Sequence, residues 1–234
     1  MRASAILAVA ILALAGCASS SSVPPRAVPP AFNPAAHTQV QTARPPVTQS
    51  KQGPFQPNAN LFLCRGGITN QPRASTDHRV LGYAPMIVVN GVALATAPAN
   101  DVCLTSGFGP RYGRPHKGVD LFSNPPGRVY SAAPGIIREA NTARGFGKQI
   151  VIDHGRGVFT RYAHLSSFAP GIRTGAKIGF GVPIGKIGAT GNATAPHLHY
   201  EVLTGSYNNP RKSFGLEAHN PLAFPAWAGL NTVS

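Results

Sequence analysis

Two short segments, far apart in the chain, carry residue types that can hold a catalytic metal: His116-Lys117-Gly118-Val119-Asp120 and His197-Leu198-His199. In a strand, side chains alternate between faces, so His197 and His199 point one way and Leu198 the other. His116 and Asp120 are four apart, a spacing that would also suit one face of a helix. Pro115 before them and Gly118 between them argue against a helix. On an extended segment the two residues again share a face. A catalytic zinc typically takes three protein ligands of the His/Asp/Glu kind and keeps a fourth position for water. His116, Asp120 and one of the paired histidines make such a set. There is no His-Glu-x-x-His, so Glu201 is not expected to be the base that motif supplies; it either supports a ligand histidine or faces solvent.

Composition narrows the chemistry further. The 234 residues include 21 Lys and Arg against seven carboxylates, a formal charge of +14. This balance favours an anionic partner such as an acidic cell-wall polymer or membrane face. No clustered basic run and no nucleic-acid-binding motif is present, so nucleic acid is not expected as a partner. Glycoside cleavage would need two facing carboxylates, and besides Asp120 the folded part offers few: Glu139, Asp153, Glu201 and Glu217.

The N-terminus gives an address. Arg2 is followed by an uncharged apolar stretch from Ala3 to Ala15, of signal-peptide length and too short to span a bilayer. It ends in Leu14-Ala15-Gly16-Cys17, which resembles a bacterial lipobox with Cys17 as the lipidated first residue. Residues 1–16 are therefore expected to be a lipoprotein signal peptide. By resemblance to enterobacterial sorting signals, Ala18 in place of Asp after the cysteine implies the outer membrane, facing the periplasm. Residues 17–58, rich in Pro, Ser and Ala, read as a disordered tether. In an oxidising compartment the two remaining cysteines, Cys64 and Cys103, read as a disulfide.

Residues 59–103 read as a small accessory β region. Its apolar runs Met86–Val89 and Val92–Ala95 flank Asn90-Gly91, a strong hairpin signal. From Leu104 onward Gly and Pro punctuate short apolar segments: Gln149–Asp153, Val158–His164, Lys177–Phe180 and Pro183–Ile187. Asp153-His154-Gly155-Arg156-Gly157 joins the first two as a turn, with His154 structural. Thr160, Tyr162 and His164 are expected on one face of their strand. No stretch has helical period, so the domain, residues 104–225, is expected to be all-β with antiparallel short strands. Residues 226–234 are a C-terminal tail.

Taken in order, several pieces of this domain resemble the lysostaphin/LytM-type zinc endopeptidases, which cut peptidoglycan peptides. Thr105-Ser106-Gly107-Phe108-Gly109 is similar to their opening strand and turn, and His116–Asp120 to their His-x-x-x-Asp motif. Tyr162-Ala163-His164-Leu165 is similar to their central histidine segment, and Ala195–Glu201, preceded by Gly188-Ala189-Thr190-Gly191, to their closing motif. The resemblance implies one zinc ion held by His116, Asp120 and His199, with His164 and His197 as the two catalytic histidines beside it. Zinc brings the pKa of its bound water near 7, and histidines titrating near neutrality can move the protons of amide hydrolysis. Tyr112 either donates to the oxyanion or packs as a loop aromatic.

The resemblance implies peptidoglycan stem peptides as substrate. With a Gram-negative envelope, the bond expected is D-Ala to meso-diaminopimelate. A non-catalytic regulator that binds wall or activates another hydrolase is the alternative, and the complete residue set argues against it. Two segments lie outside the family pattern: residues 59–103, and an insertion at 206–219 containing Arg211 and Lys212. Either could shape or partly cover the groove.

Overall fold

The computed structural model describes residues 51–66, 69–209 and 214–229, all within one compact unit; the signal peptide, Cys17, most of the tether, Arg211 and Lys212 lie outside the described residues. The strands are β1 (Phe62–Leu63), β2 (Met86–Val89), β3 (Val92–Ala95), β4 (Cys103–Ser106), β5 (Gly109–Arg111), β6 (Arg114–His116), β7 (Val119–Phe122) and β8 (Arg128–Tyr130). They continue as β9 (Gly135–Ala143), β10 (Gly147–Asp153), β11 (Val158–Leu165), β12 (Ser167–Phe168), β13 (Lys177–Ile178), β14 (Pro183–Lys186), β15 (Leu198–Asn209) and β16 (Phe214–His219). A single 3₁₀ turn at Pro221–Ala223 is the only helical element among the described residues. The protein is all-β, as the alternation of short apolar segments predicts.

The main sheet runs β1-β4-β7-β15-β11-β10-β9-β13, and every pairing in it is antiparallel except β1 with β4. β15 is its spine. One edge of β15 pairs with β11 through 199–204, and the other is shared by β7 near its start and β16 beyond. Alternation then sorts the side chains of β15. Leu198, Tyr200 and Val202 enter the main core, while His199, Glu201 and Leu203 lie on the opposite face. Both hairpins signalled by turn residues form, β2–β3 around Asn90-Gly91 and β10–β11 around His154.

Residues 59–103 share the core of the domain rather than standing apart from it. Leu61, Ile87 and Leu94 are fully buried with Leu104, Leu121 and Tyr200. A buried tyrosine hydroxyl needs a partner, and Tyr200 finds one by donating to the Ala95 carbonyl at 3.0 Å. Cys64 and Cys103 are bonded. On the chain-entropy model, closing the loop between them, with a separation of 39 residues, stabilises the fold by about 4 kcal/mol.

Two boundaries differ from the sequence reading. The tether was expected to reach residue 58, yet its last residues are packed. Phe55 stacks on Tyr130 at 5.1 Å and meets Phe180 at 5.5 Å, and buried Asn58 donates to the Ala99 carbonyl at 2.8 Å. A lone aromatic in a Pro-rich stretch gives no periodicity, so composition hides this clasp. The C-terminal tail likewise begins docked: Val88 N–H donates to the Pro225 carbonyl and Trp227 N–H to the Met86 carbonyl, making 225–227 a third rung beside β2.

His154 shows what holds the β10–β11 turn. Its Nδ1 donates to the Pro134 carbonyl at 2.8 Å and its Nε2 lies 2.7 Å from the Thr160 hydroxyl. Burial pushes this imidazole down to about 4, against the upward pull of the Pro134 carbonyl. The fold therefore favours the neutral ring, and the unfolded chain takes up a proton first as pH falls. Stability supplied by the neutral ring is complete above about 6.5 and is lost between there and about 4. Urea denaturation at pH 7.5 and 4.5 is expected to show a smaller acid loss in His154→Gln than in the parent.

Candidate metal centre

Strand register lays the site across the sheet. Ser106 of β4 is paired with Asp120 of β7, Asp120 with His199 of β15, and His199 with Ala163 of β11. Directly opposed residues have Cβ atoms about 4.5–5.5 Å apart, so Asp120 and His199 meet without any special loop. His116 ends β6 and is turned back toward them through Lys117-Gly118. Gly118 must lack a side chain there, because a Cβ would lie 2.4 Å from the Tyr200 carbonyl oxygen and 3.0 Å from His199 Cε1.

His116, Asp120 and His199 are all buried and bring three ligand-type atoms together. His116 Nε2 is 3.1 Å from Asp120 Oδ1 and 3.1 Å from His199 Nδ1, and His199 Nδ1 is 2.9 Å from Asp120 Oδ1. The atoms of each side chain that face away from this triangle are also engaged. His116 Nδ1 donates to the Gly107 carbonyl at 2.6 Å. Arg111 Nη1 donates to Asp120 Oδ2 at 2.8 Å. His199 Nε2 donates to Glu201 Oε1 at 3.1 Å, and Arg161 Nη1 donates to Glu201 Oε2 at 2.7 Å. Glu201 thus supports a ligand-type histidine and does not face solvent.

Electrostatics follow from this packing. Burial alone would raise the Asp120 carboxyl, but hydrogen bonds from His116 and His199 outweigh it and hold Asp120 well below the usual carboxylate range. Burial would lower His199, yet the Asp120 and Glu201 carboxylates push it up to about 9. Glu201, although buried, is held below its ordinary value by the His199 hydrogen bond and the Arg161 charge.

The other two histidines stand beside the triangle. His197 Nδ1 lies 2.8 Å from the Ala195 carbonyl, leaving Nε2 3.6 Å from Asp120 Oδ1. His164 Nδ1 donates to the Thr190 carbonyl at 2.8 Å, and its ring centroid is 4.8 Å from that of His197 and 5.8 Å from that of His199. Simple alternation would put His164 with Thr160 and Tyr162, on the core face. The structure corrects that expectation. The β10–β11 register slips between Lys148 and Ile150, and His164 takes a left-handed backbone at φ 62°. This bulge takes His164 out of the alternation, so His164 reaches the metal side while Leu165 returns to the core. Burial pushes His164 down to about 4, against the Thr190 carbonyl, so the ring is neutral at pH 7.

A groove opens over these residues, lined also by Thr69, Tyr112, Phe146, Asn192 and Thr194. Tyr112, at the tip of the β5–β6 hairpin, is 86% exposed and free to meet a bound chain. Of residues 59–103, Thr69 is the groove-lining member among the described residues.

Residues 114–210 match the model of peptidase family M23. The chain carries a peptidase family M23 domain. It is 40% identical over 101 residues to the DD-carboxypeptidase/endopeptidase Mpg of Neisseria meningitidis, covering 42% of this chain and 22% of that protein. It is 31% identical over 127 residues to the peptidoglycan DD-endopeptidase ShyC of Vibrio cholerae, covering 51% of this chain and 29% of that one. The chain thus spans well under half the length of these curated relatives. Among solved structures, the catalytic domain of lysostaphin from Staphylococcus simulans is 32% identical, with 52% of this chain and 90% of that chain covered and a TM-score of 0.45.

Sequence reasoning missed several residues that the M23 domain places around its centre. Arg111 and Arg161 carry no motif or spacing that singles them out in the sequence. Only the β11–β15 register, which opposes Arg161 to Glu201, reveals that pair. Arg161 also lies under the Phe146 ring, 4.3 Å from its centroid. Removing one partner of a buried ion pair typically costs about 3–5 kcal/mol. Glu201→Gln is expected to lose about that much stability in urea denaturation, whereas an exposed change such as Glu217→Gln is expected to move it by less than about 0.5 kcal/mol.

Proposed function

We propose that this chain is a zinc-dependent peptidoglycan endopeptidase that cuts peptide cross-links at the bond between D-alanine and meso-diaminopimelate. The observation that carries this reading is the convergence of His116 Nε2, Asp120 Oδ1 and His199 Nδ1, with His164 and His197 beside them. Tetrahedral zinc with bonds of about 2.0–2.1 Å sets its ligand atoms about 3.3 Å apart. The triangle here has edges of 2.9–3.1 Å, close to that frame. Two imidazoles and one carboxylate are also the donor set that leaves zinc an open position. The names of Mpg and ShyC, a DD-carboxypeptidase/endopeptidase and a DD-endopeptidase, favour the D-Ala bond.

In this reading His116, Asp120 and His199 hold the metal, and His164 and His197 handle protons. Zinc supplies Lewis acidity, activating water near neutral pH and polarising the scissile carbonyl. His164 is neutral at pH 7 with Nδ1 committed to Thr190, so its Nε2 is free to take a proton from the attacking water. His197 has its Nδ1 against Ala195 and its Nε2 toward the centre, placed to steady the oxyanion or protonate the leaving amine. Tyr112 can donate to the oxyanion from the groove rim. The non-catalytic alternative is less well served, since all five side chains come together. A lipid on Cys17 and the tether after it would let the domain reach the wall from the outer membrane.

Digestion of purified sacculi by a soluble form starting at Ala18 tests this. Cross-linked dimers are expected to fall to monomers, with product masses naming the bond. His116→Ala and chelator are expected to abolish turnover. His164→Ala is expected to lower it about 10²–10⁴-fold while zinc stays bound. Intact dimers in the zinc-loaded parent would sink the enzyme reading.

The raised His199 gives a pH dependence. Below about 9 the metal-free ring carries a proton on each nitrogen, and the one on Nδ1 must leave when metal enters. Zinc affinity is therefore expected to fall as pH drops from 9 to 7, with about one proton released per ion. Calorimetry in buffers of different ionisation enthalpy would measure that release.

A further inference from the structure

The segment before β4 approaches the metal centre from outside the matched domain. Thr69 and Asn70 lie along the free end of β4. Thr69 N–H donates to the Thr105 carbonyl at 3.3 Å, and Gly107 N–H donates to the Thr69 carbonyl at 3.0 Å. This adds a short parallel rung to the strand that carries Ser106. The contact is close enough that a Cβ on Gly107 would fall 2.0 Å from the Asn70 carbonyl oxygen. Five residues upstream of Thr69, Cys64 is bonded to Cys103, and Cys64 N–H donates to the Leu104 carbonyl at 3.0 Å.

The side chains of both residues aim at groups that orient the proposed ligands. Asn70 Nδ2 donates to the Gly109 carbonyl at 2.8 Å and the Gly107 carbonyl at 3.3 Å. The Gly107 carbonyl is the acceptor that fixes His116 through Nδ1. Thr69 Oγ1 donates to Ser106 Oγ at 2.7 Å. Ser106 Oγ also accepts from Arg111 Nη1 at 3.0 Å, and that same Nη1 holds Asp120 Oδ2. Ser106 therefore spends its acceptor capacity on Thr69 and Arg111, which fixes both. Thus His116 rests on an acceptor that Asn70 braces, and Asp120 on a donor, Arg111, whose other acceptor, Ser106, Thr69 braces. Asn70 sits at φ 49°, a left-handed conformation that Asn tolerates better than most residues, so its amide is presented without a competing demand from the backbone.

We infer that Thr69 and Asn70 are positioning residues of the metal centre, holding the His116 and Asp120 side chains in ligand geometry through Gly107 and Ser106–Arg111. The inference rests on the zinc-site reading above. Partners that orient a metal ligand commonly change affinity about 10–100-fold when removed. Acting one bond further out, Thr69 and Asn70 are expected to fall at the low end of that range.

The test compares zinc dissociation constants, by competition with a chromophoric chelator, for the parent, Asn70→Asp, Thr69→Val and Thr69→Ser. Melting of each metal-free protein is recorded alongside. Asn70→Asp keeps shape and left-handed tolerance but replaces the donor with a charge facing two carbonyls. Thr69→Val removes the hydroxyl at constant shape, and Thr69→Ser keeps it. Zinc is expected to bind about tenfold more weakly to Asn70→Asp and Thr69→Val and with parental affinity to Thr69→Ser. Parental affinity in both weakened candidates, with or without a lower metal-free melting point, would overturn the inference and leave a purely structural edge contact. If Asn70→Asp does not fold, the Thr69 pair decides. A parent that binds no zinc would instead sink the metal-centre reading itself, and His116→Ala provides the reference for that outcome.

Discussion

A carboxylate that is almost wholly buried needs charge and hydrogen bonds supplied to it, and Asp120 organises this protein through that need. Desolvation would neutralise it in an apolar pocket. Here His116, His199 and Arg111 surround it, so it stays ionised. Each of those groups comes from a different strand: β6, β15 and β5. The demand of one small side chain therefore determines how the β5–β6 hairpin folds against the central sheet.

The same logic repeats one layer out. His199 between two carboxylates draws positive charge inward, and Glu201 is balanced by Arg161, its direct neighbour across β11 and β15. Phe146 covers that guanidinium and borders the groove. The face of the sheet behind the site is thus an alternating series of acid and base closed by an aromatic ring. A buried series of this kind holds only when every member is present, which ties the geometry of the site to the integrity of the sheet.

Much of this was legible in the chain. His-x-His parity and the turns at Asn90-Gly91 and His154 depend on local chemistry that sequence records directly. The reading of His116 to Asp120 as one extended segment does not hold: they sit on β6 and β7, in different sheets, with the bend at Lys117-Gly118 between them. His164 was legible as a residue but not as a direction, because a bulge breaks the two-residue period on which parity rests. The packed clasp at Phe55 and Asn58 was hidden inside a stretch whose composition reads as tether. Arg111, Arg161 and Asn70 were invisible for another reason: their roles exist only through strand register and long-range contact, which no spacing along the chain encodes. The lipobox falls outside the described residues and remains a reading of sequence.

The β1–β4 edge, with its disulfide and the Thr69–Asn70 rung, lies wholly before residue 114, where the family match begins. Grafting residues 114–210 into another envelope protein would carry every proposed ligand yet leave behind the strand against which β7 lies and the carbonyl that aims His116. The portable unit is larger than its motifs: a chimera would have to be cut upstream of Cys64, and the seam would belong in the clasp around Phe55 or before it.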